Sequence, residues 1–277
     1  LRPRARAGPP RRDGGIALRV LFVADVFGRP GRRALEWGIE LRRAMAAPDL
    51  IVVNGENAAG GFGITADIAR DFFELGADVI TTGNHVWDKR EVYDFLAAEP
   101  RLLRPDNYPA GNPGSGVWIG EVGGVRCTVL NLQGRVFMRE IDCPFRRLDS
   151  LLEEPAVRES KIVIVDFHAE ATAEKMAMGR YADGRVSAVI GTHTHVPSAD
   201  PRVLPGGTAY VTDAGMTGPH GGVIGVEASA AVERFLRQTP NRFTVADDDV
   251  RFQALSIDVD ERTGRALSIE RIDEPIG

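Results

Sequence analysis

Asp25, Glu56, Asn84, His85, His168, His193 and His195 are side chains able to bind a divalent cation or move a proton, and they recur along this chain in short clusters. Asp25 closes one apolar run, Asn54-Gly55-Glu56-Asn57 a second, and His168 follows the run Ile162 to Phe167. His85 follows Gly83-Asn84, and His193-Thr194-His195 follows Gly191-Thr192. The donors are oxygen and nitrogen without sulfur. That set suits borderline to hard divalent metals, Mn, Fe or Zn, and a catalytic site better than a structural zinc knot. An H-x-H at a strand end chelates whether its two imidazoles share one metal or face neighbouring ones.

Such residues do chemistry together only if the fold collects them, and the pattern around them supplies the means. Val20 to Ala24 has the character of a buried strand, Pro30 to Met45 of a helix with Pro in its first turn, and Leu50 to Val53 of the next strand. Thr65 caps a helix running to about Leu75, Val79 to Thr82 is a third strand, and Lys89 to Ala98 a third helix. Asp25 to Glu56 is 31 residues and Glu56 to Asn84 is 28, close to the ~30 residues of one βαβ unit. Each candidate ligand therefore returns to the same edge of a parallel sheet, where open α/β sheets hold their ligands.

Beyond the Pro- and Gly-rich stretch 100–116 the pattern changes. Val117 to Val122 and Arg126 to Leu132 form a hairpin around Gly123-Gly124, and Lys161 to Phe167, Val186 to Ile190 and Ala209 to Thr212 are further strands. A helix from Thr172 to Tyr181 separates the first two of these. Phe252 to Val259 and Arg265 to Ile272 alternate as an edge hairpin, while Gln133 to Phe145 is expected to be a long packed loop.

Composition narrows the partners. Residues 1–17 carry five Arg and one Asp, are rich in Pro and Gly, and are expected to form a disordered basic tail before a single domain over residues 18–277. Of the net charge of −5, that segment contributes +4, which leaves −9 on the rest. An acidic body does not grip nucleic acid through its phosphates, so no stable nucleic-acid complex is expected, although bound cations can neutralise an acidic pocket. No apolar stretch approaches the ~20 residues of a spanning helix, and no secretory signal opens the chain, which leads to a cytoplasmic expectation without a membrane partner. Cys127 and Cys143, the two cysteines, have neither the number nor the spacing of a disulfide framework or a C-x-x-C site.

In order, Asp25-Val26-Phe27, Gly55-Glu56-Asn57, Gly83-Asn84-His85, His168 and His193-Thr194-His195 resemble the five blocks of the calcineurin-like metallophosphoesterases. Two positions depart from that pattern: Phe27 stands where the first block has histidine, and Glu56 where the second has aspartate. These departures, with Asn54-Gly55-Glu56-Asn57 and Gly215-Met216-Thr217-Gly218, are similar to the YmdB-type subgroup of bacterial phosphodiesterases, and the similarity covers nearly the whole chain after the tail. Periodicity alone indicates only α/β. The resemblance implies a four-layer αββα sandwich, two mixed β-sheets flanked by helices, with two divalent metals at the strand ends.

By the same resemblance, Asp25 and His195 would hold one metal, Asn84, His168 and His193 the other, and Glu56 would bridge them. Asn57 would fill the place left by Phe27 or hydrogen-bond the phosphate. Fe or Mn is favoured over Zn. Two metals ~3.5–4 Å apart share a hydroxide of lowered pKa for in-line attack on phosphorus. His85, beside a ligand but not one itself, is the expected acid for the leaving oxygen. Asp213 is a candidate to orient a ligand imidazole or a simple turn former, and His220, in the loop Gly218-Pro219-His220, a candidate substrate contact or a solvent-facing histidine.

The activity implied is hydrolysis of small phosphodiesters, 2′,3′-cyclic nucleotides foremost. Phosphomonoester or phosphoprotein hydrolysis, and a regulatory protein that senses metal or nucleotide without turnover, are the competing readings. No Lys or Arg accompanies the motifs, and a dianionic monoester would need extra cations. Base rates and family analogy add a symmetric homo-oligomer to the expected partners.

Overall fold

The computed structural model describes residues 17–240 and 242–276. The strands in chain order are β1 (Ala17–Val23), β2 (Asp25–Val26), β3 (Leu50–Asn54), β4 (Val79–Thr81), β5 (Val117–Val122), β6 (Val125–Gln133), β7 (Ile162–His168), β8 (Ala188–Thr192), β9 (Arg202–Val203), β10 (Ala209–Val211), β11 (Met216–Pro219), β12 (Val250–Asp260) and β13 (Ala266–Pro275). The helices are α1 (Gly28–Ala46), α2 (Ala66–Leu75), α3 (Val92–Ala98), α4 (Pro144–Glu153), α5 (Pro155–Arg158), α6 (Thr172–Ala182) and α7 (Ala228–Arg237), with a 3-10 turn at Asn84–Trp87.

The strands form two mixed sheets. In the first, β1, β3 and β4 run parallel as the spacing predicts, and β12 lies antiparallel to β1. In the second, β6, β7, β8 and β10 are parallel, with β5 and β9 antiparallel at the two edges.

Period-two alternation divides the apolar side chains between two sides of each sheet. Leu18, Val20, Phe22 and Ala24 point the same way as Leu50, Val52, Leu255 and Ile257, and meet Cys127, Val129, Ile162, Ile164, Ala188 and Ile190 of the second sheet. The intervening residues Leu21, Val23, Ile51 and Val53 face Leu35 and Ile39 of α1 and Phe72 of α2. On the second sheet Leu130, Leu132, Val163, Val165 and Phe167 face Leu148 and Leu151 of α4 and Met178 of α6. The order is therefore helices, sheet, sheet, helices, a four-layer αββα sandwich. Each fully buried Leu, Val, Ile or Phe contributes about 1.5–3 kcal/mol relative to exposure.

Several boundaries differ from the sequence expectation. Ala17, expected in the tail, is instead the first residue of β1 and pairs with Asp260; the rest of the expected tail, residues 1–16, lies outside the described residues. The run from Val20 does not continue unbroken into Asp25. After Val23 the chain leaves β12, and β2 pairs instead with β11, Met216 opposite Asp25. β11 was not legible because Met216-Thr217-Gly218-Pro219 has no alternation. The late hairpin is not wholly at an edge: β12 joins β1, β11 and β13, and only β13 lies outside. The loop expected up to Phe145 ends at Cys143, since Pro144 opens α4 at a position where its missing N–H costs nothing. The third helix starts at Val92 rather than Lys89, because the 3-10 turn holds Asn84–Trp87.

Two local devices aim the site. Thr65 caps α2, its Oγ1 accepting from Ile68 N at 3.2 Å, and Gly76 ends it at φ 102°, a left-handed value that glycine adopts without strain. On α1, a Cβ at Gly38 would stand 2.2 Å from the Phe252 ring. That glycine lets the helix lie directly on β12.

Candidate metal centre

Asp25, Glu56 and Asn84 follow β1, β3 and β4; His168 ends β7, and His193 and His195 follow β8. The two sheets thus bring three oxygen donors and three imidazoles to one end of the sandwich. At the end of β3, Asn54 Oδ1 accepts from Glu56 N at 3.1 Å, which folds the turn that presents Glu56. The same amide donates to Asp166 Oδ2 on β7 at 3.0 Å and ties the sheets together. Gly83 must be glycine for steric reasons, as a Cβ there would stand 2.2 Å from His168 Nε2 and 2.3 Å from Glu56 Oε2.

The ligand atoms converge in two overlapping groups. Glu56, His168 and His193 form one and Asp25, Glu56 and His195 the other, the atoms of each lying within 4.8 Å of one another. Glu56 belongs to both. Around His168 Nε2 stand Asn84 Oδ1 at 3.1 Å, His193 Nδ1 at 3.0 Å and Glu56 Oε1 at 3.1 Å. One ring nitrogen offers one proton or one lone pair and cannot serve three such neighbours. Asp25 Oδ2 accepts from His193 N at 3.2 Å, while Asp25 Oδ1 is buried without a hydrogen-bond partner.

The outward nitrogens of the three imidazoles settle which nitrogen faces in. Thr192 Oγ1 gives its one proton to Asp166 Oδ1 at 2.7 Å, so toward His168 Nδ1, at 2.9 Å, it can only accept. His195 Nδ1 stands 3.0 Å from the carbonyl oxygen of Ile224, and His193 Nε2 stands 3.0 Å from Glu170 Oε2. Every outward nitrogen therefore carries the hydrogen in the neutral ring. Every inward one, Nε2 of His168, Nε2 of His195 and Nδ1 of His193, keeps a lone pair for a cation.

The charges point the same way. Burial alone would depress the His168 imidazole, but Glu56, Asp25 and Asp166 around it raise it to about 9. Burial would raise Glu56, yet His168 holds that carboxyl well below the usual carboxylate range. Burial pushes Asp25 well above its ordinary value and Asp166 up to about 6. Burial, and then His168, lowers His193 to about 3. Protons thus collect at a buried carboxylate cluster where cations would otherwise neutralise it.

His193 and His195 both have left-handed backbones, φ 103° and 64°. For non-glycine residues such conformations cost about 1–3 kcal/mol each and persist only where the surroundings enforce them. Phe27, at the position of the missing histidine, packs edge-on against His195 at 5.4 Å between ring centres and walls the site. Asn57 Nδ2 lies 3.0 Å from both His195 Nε2 and Glu56 Oε1. Rotating that amide by 180° would bring its carbonyl oxygen to the same point.

His85 belongs to neither ligand group. Its Nδ1 faces Asp88 Oδ2 at 2.8 Å, and Phe62 from the Gly60-Gly61-Phe62-Gly63 loop packs edge-on against the ring at 5.1 Å. One sequence expectation differs from the structure. Asp213 touches no ligand imidazole; its Oδ2 accepts from Thr194 N, Thr194 Oγ1 and Lys175 Nζ, and so it grips the backbone between two histidines. His220 bonds back to the carbonyl oxygen of Met216 through Nε2 at 2.9 Å.

Sequence reasoning missed Asp88, Asp166, Glu170, Lys175 and Thr192. Asp166 left a signal, a carboxylate inside the apolar run of β7 two residues before His168, which places both on one side of the strand. Glu170, half exposed and beyond the strand, left none.

A family model described as YmdB-like protein matches residues 21–272. The chain belongs to the YmdB-like family. It is 47% identical over 255 residues to the 2′,3′-cyclic-nucleotide 2′-phosphodiesterase of Bacillus subtilis, covering 92% of this chain and 96% of that protein. A crystal structure of a Mycoplasma pneumoniae protein described as a novel phosphatase superposes with a TM-score of 0.88 at 32% identity, covering 94% of each chain. A hypothetical protein from Thermus thermophilus superposes with a TM-score of 0.86 at 45% identity, over 93% of this chain and 100% of the other. The YmdB-like match takes in both sheets and all six converging side chains.

Proposed function

We propose that this YmdB-like protein is a metal-dependent phosphodiesterase that hydrolyses small nucleotides, with 2′,3′-cyclic nucleotides as its substrate class. The observation that carries this reading is the set of three imidazoles whose outward nitrogens are all taken by oxygen acceptors, arranged with Asp25 and Asn84 around the shared carboxylate of Glu56. The substrate class follows the name of the Bacillus subtilis relative.

The donor set fits two divalent ions, Fe or Mn before Zn, since it is oxygen and nitrogen throughout. Asp25, His195 and Asn57 would hold one, Asn84, His168 and His193 the other, and Glu56 both. When bound, the two ions supply a water-derived nucleophile near neutral pH and neutralise charge on the phosphate. The chain does the rest. His85 donates a proton to the leaving ester oxygen, with Asp88 accepting from Nδ1 so that Nε2 is left for the transfer. Phe62 fixes the ring and shields it from water on one side. Lys175, buried behind the histidine turn, is bound to Asp213 and so is not free to hold a phosphate dianion. This favours a diester monoanion over a monoester.

The test is metal analysis of the purified protein with hydrolysis of 2′,3′-cAMP, bis-p-nitrophenyl phosphate and p-nitrophenyl phosphate. The expected result is about two metals per chain and turnover of both diesters well above the monoester. His85→Ala should keep the metals and lose about 10²–10⁴-fold in turnover, whereas Asn84→Ala should lose metal as well. Nucleotide binding without turnover in Mn, Fe and Zn would sink the enzymatic reading. Preferred turnover of p-nitrophenyl phosphate would replace it with a phosphatase.

A further inference from the structure

Behind the H-x-H turn lies a fully buried ion pair that the chemistry above does not use. Lys175 on α6 and Asp213 after β10 are 1% and 2% exposed, with Nζ to Oδ2 at 2.6 Å. Burying both charges costs more solvation than a typical pair returns, and well-packed apolar residues of similar volume often serve stability as well or better. Its place in the fold suggests another use.

Asp213 Oδ2, besides meeting Lys175, accepts from Thr194 N at 3.1 Å and Thr194 Oγ1 at 2.7 Å. Thr194 is the residue between His193 and His195, whose left-handed backbones need outside support. The other carboxylate oxygen accepts from Gly215 N at 2.9 Å, and Ser198 N donates to the Asp213 carbonyl oxygen at 3.1 Å. Both carboxylate oxygens thus meet donors, and the backbone beside them is tied down as well. Lys175 reaches it by crossing the end of β8 over Gly191, where a Cβ would stand 3.0 Å from Lys175 Cδ and 1.8 Å from the Thr212 carbonyl oxygen. A side chain at Gly191 would block the approach.

We infer that Lys175, Asp213 and Thr194 form a positioning clamp that holds the left-handed turn presenting His193 and His195, and thereby sets the affinity of the site for its metals. Lys175 and Asp213 touch neither metal nor substrate in this role. The inference rests on the metal-centre reading proposed above.

The test separates the clamp from the fold and from that reading. Thr194→Val leaves the ion pair intact and removes only the hydroxyl link, Thr194→Ser restores it, and Lys175→Met removes the ammonium. Mn²⁺ affinity is measured by calorimetry on metal-free protein, with the melting temperature of the metal-free form and the electron paramagnetic resonance spectrum of the Mn²⁺-loaded form alongside. Thr194→Val should bind Mn²⁺ about tenfold more weakly with an altered spectrum, and Thr194→Ser should behave as the parent. Lys175→Met, if it folds, should also bind more weakly, and kcat of both weakened variants should recover at saturating Mn²⁺. If Lys175→Met does not fold, Thr194→Val decides. Parent-like affinity and spectrum in Thr194→Val overturn the clamp, while a parent protein that binds no metal overturns the metal-centre reading on which it stands.

Discussion

His168 lies where the two ligand groups compete for a proton. Its ring is held at about 9 despite complete burial, because Glu56, Asp25 and Asp166 outweigh the loss of water. A folded-state value raised above the ordinary 6.5 stabilises the metal-free protein fully below about pH 6.5, and that contribution is lost as pH rises through about 9. A metal needs the same Nε2 as a lone pair, so binding must expel the proton. Apparent metal affinity should therefore climb with pH up to about 9 and level off above it. Calorimetry at pH 7.5 in buffers of different ionisation enthalpy should show release of about one proton or more on binding, from His168 and from any protonated Asp25; no proton release would mean that His168 is not a ligand. This residue was legible in the sequence as a histidine closing an apolar run. Its raised proton affinity was not, because only Asp166 of the carboxylates responsible is nearby in sequence, while Glu56 and Asp25 lie 112 and 143 residues away and meet it only in the fold.

At the level of elements, the sequence showed best what local periodicity controls. The βα repeats from β1 to β4 were legible because each strand is a compact apolar run, and the Thr65 cap lies where a hydroxyl precedes an amphipathic segment. Thr65→Ala should lower stability by about 1 kcal/mol and Thr65→Ser should restore most of it, read from urea midpoints. β2, β11 and α7 were not legible. Asp25–Val26 is too short to show alternation, and β11 pairs only because β1 veers from β12 and leaves an opening. The joint after β4 carries a sharp steric requirement at the site itself. Gly83 lies so close to His168 and Glu56 that Gly83→Ala should push both ligands apart. Metal occupancy should fall by an order of magnitude or more, a bound drawn from the roughly 10–100-fold cost of displacing groups around a metal. The metal-free melting temperature should change little, because the clash relaxes into the ligand cluster and not into the apolar core. Full occupancy in Gly83→Ala would show that the strand end gives way instead.

For the molecule as a whole, the distribution of donors matters more than any one of them. Asp25, Glu56 and Asn84 hang from the first sheet and the three imidazoles from the second, while between the sheets there is an apolar layer running from Leu18 to Ile257. That layer is non-directional and tolerates small slips of one sheet over the other. The polar ties at the site end, Asn54 and Thr81 to Asp166, fix the register. Metals held by both sheets would cross-link them at the same end, and whatever binds only the folded chain stabilises it by mass action. At about 100 times its dissociation constant a metal adds about 2.7 kcal/mol. At roughly 2–4 °C per kcal/mol for a chain of this size, that is a rise in melting temperature of about 5–10 °C. EDTA should remove the rise and Mn²⁺ restore it, and amide exchange should slow on addition of metal both after β3 and β4 and after β7 and β8. Protection confined to one sheet would mean that the ions do not bridge the sandwich. An unchanged melting temperature in protein shown to bind metal tightly would mean that the unfolded chain holds the ions equally well.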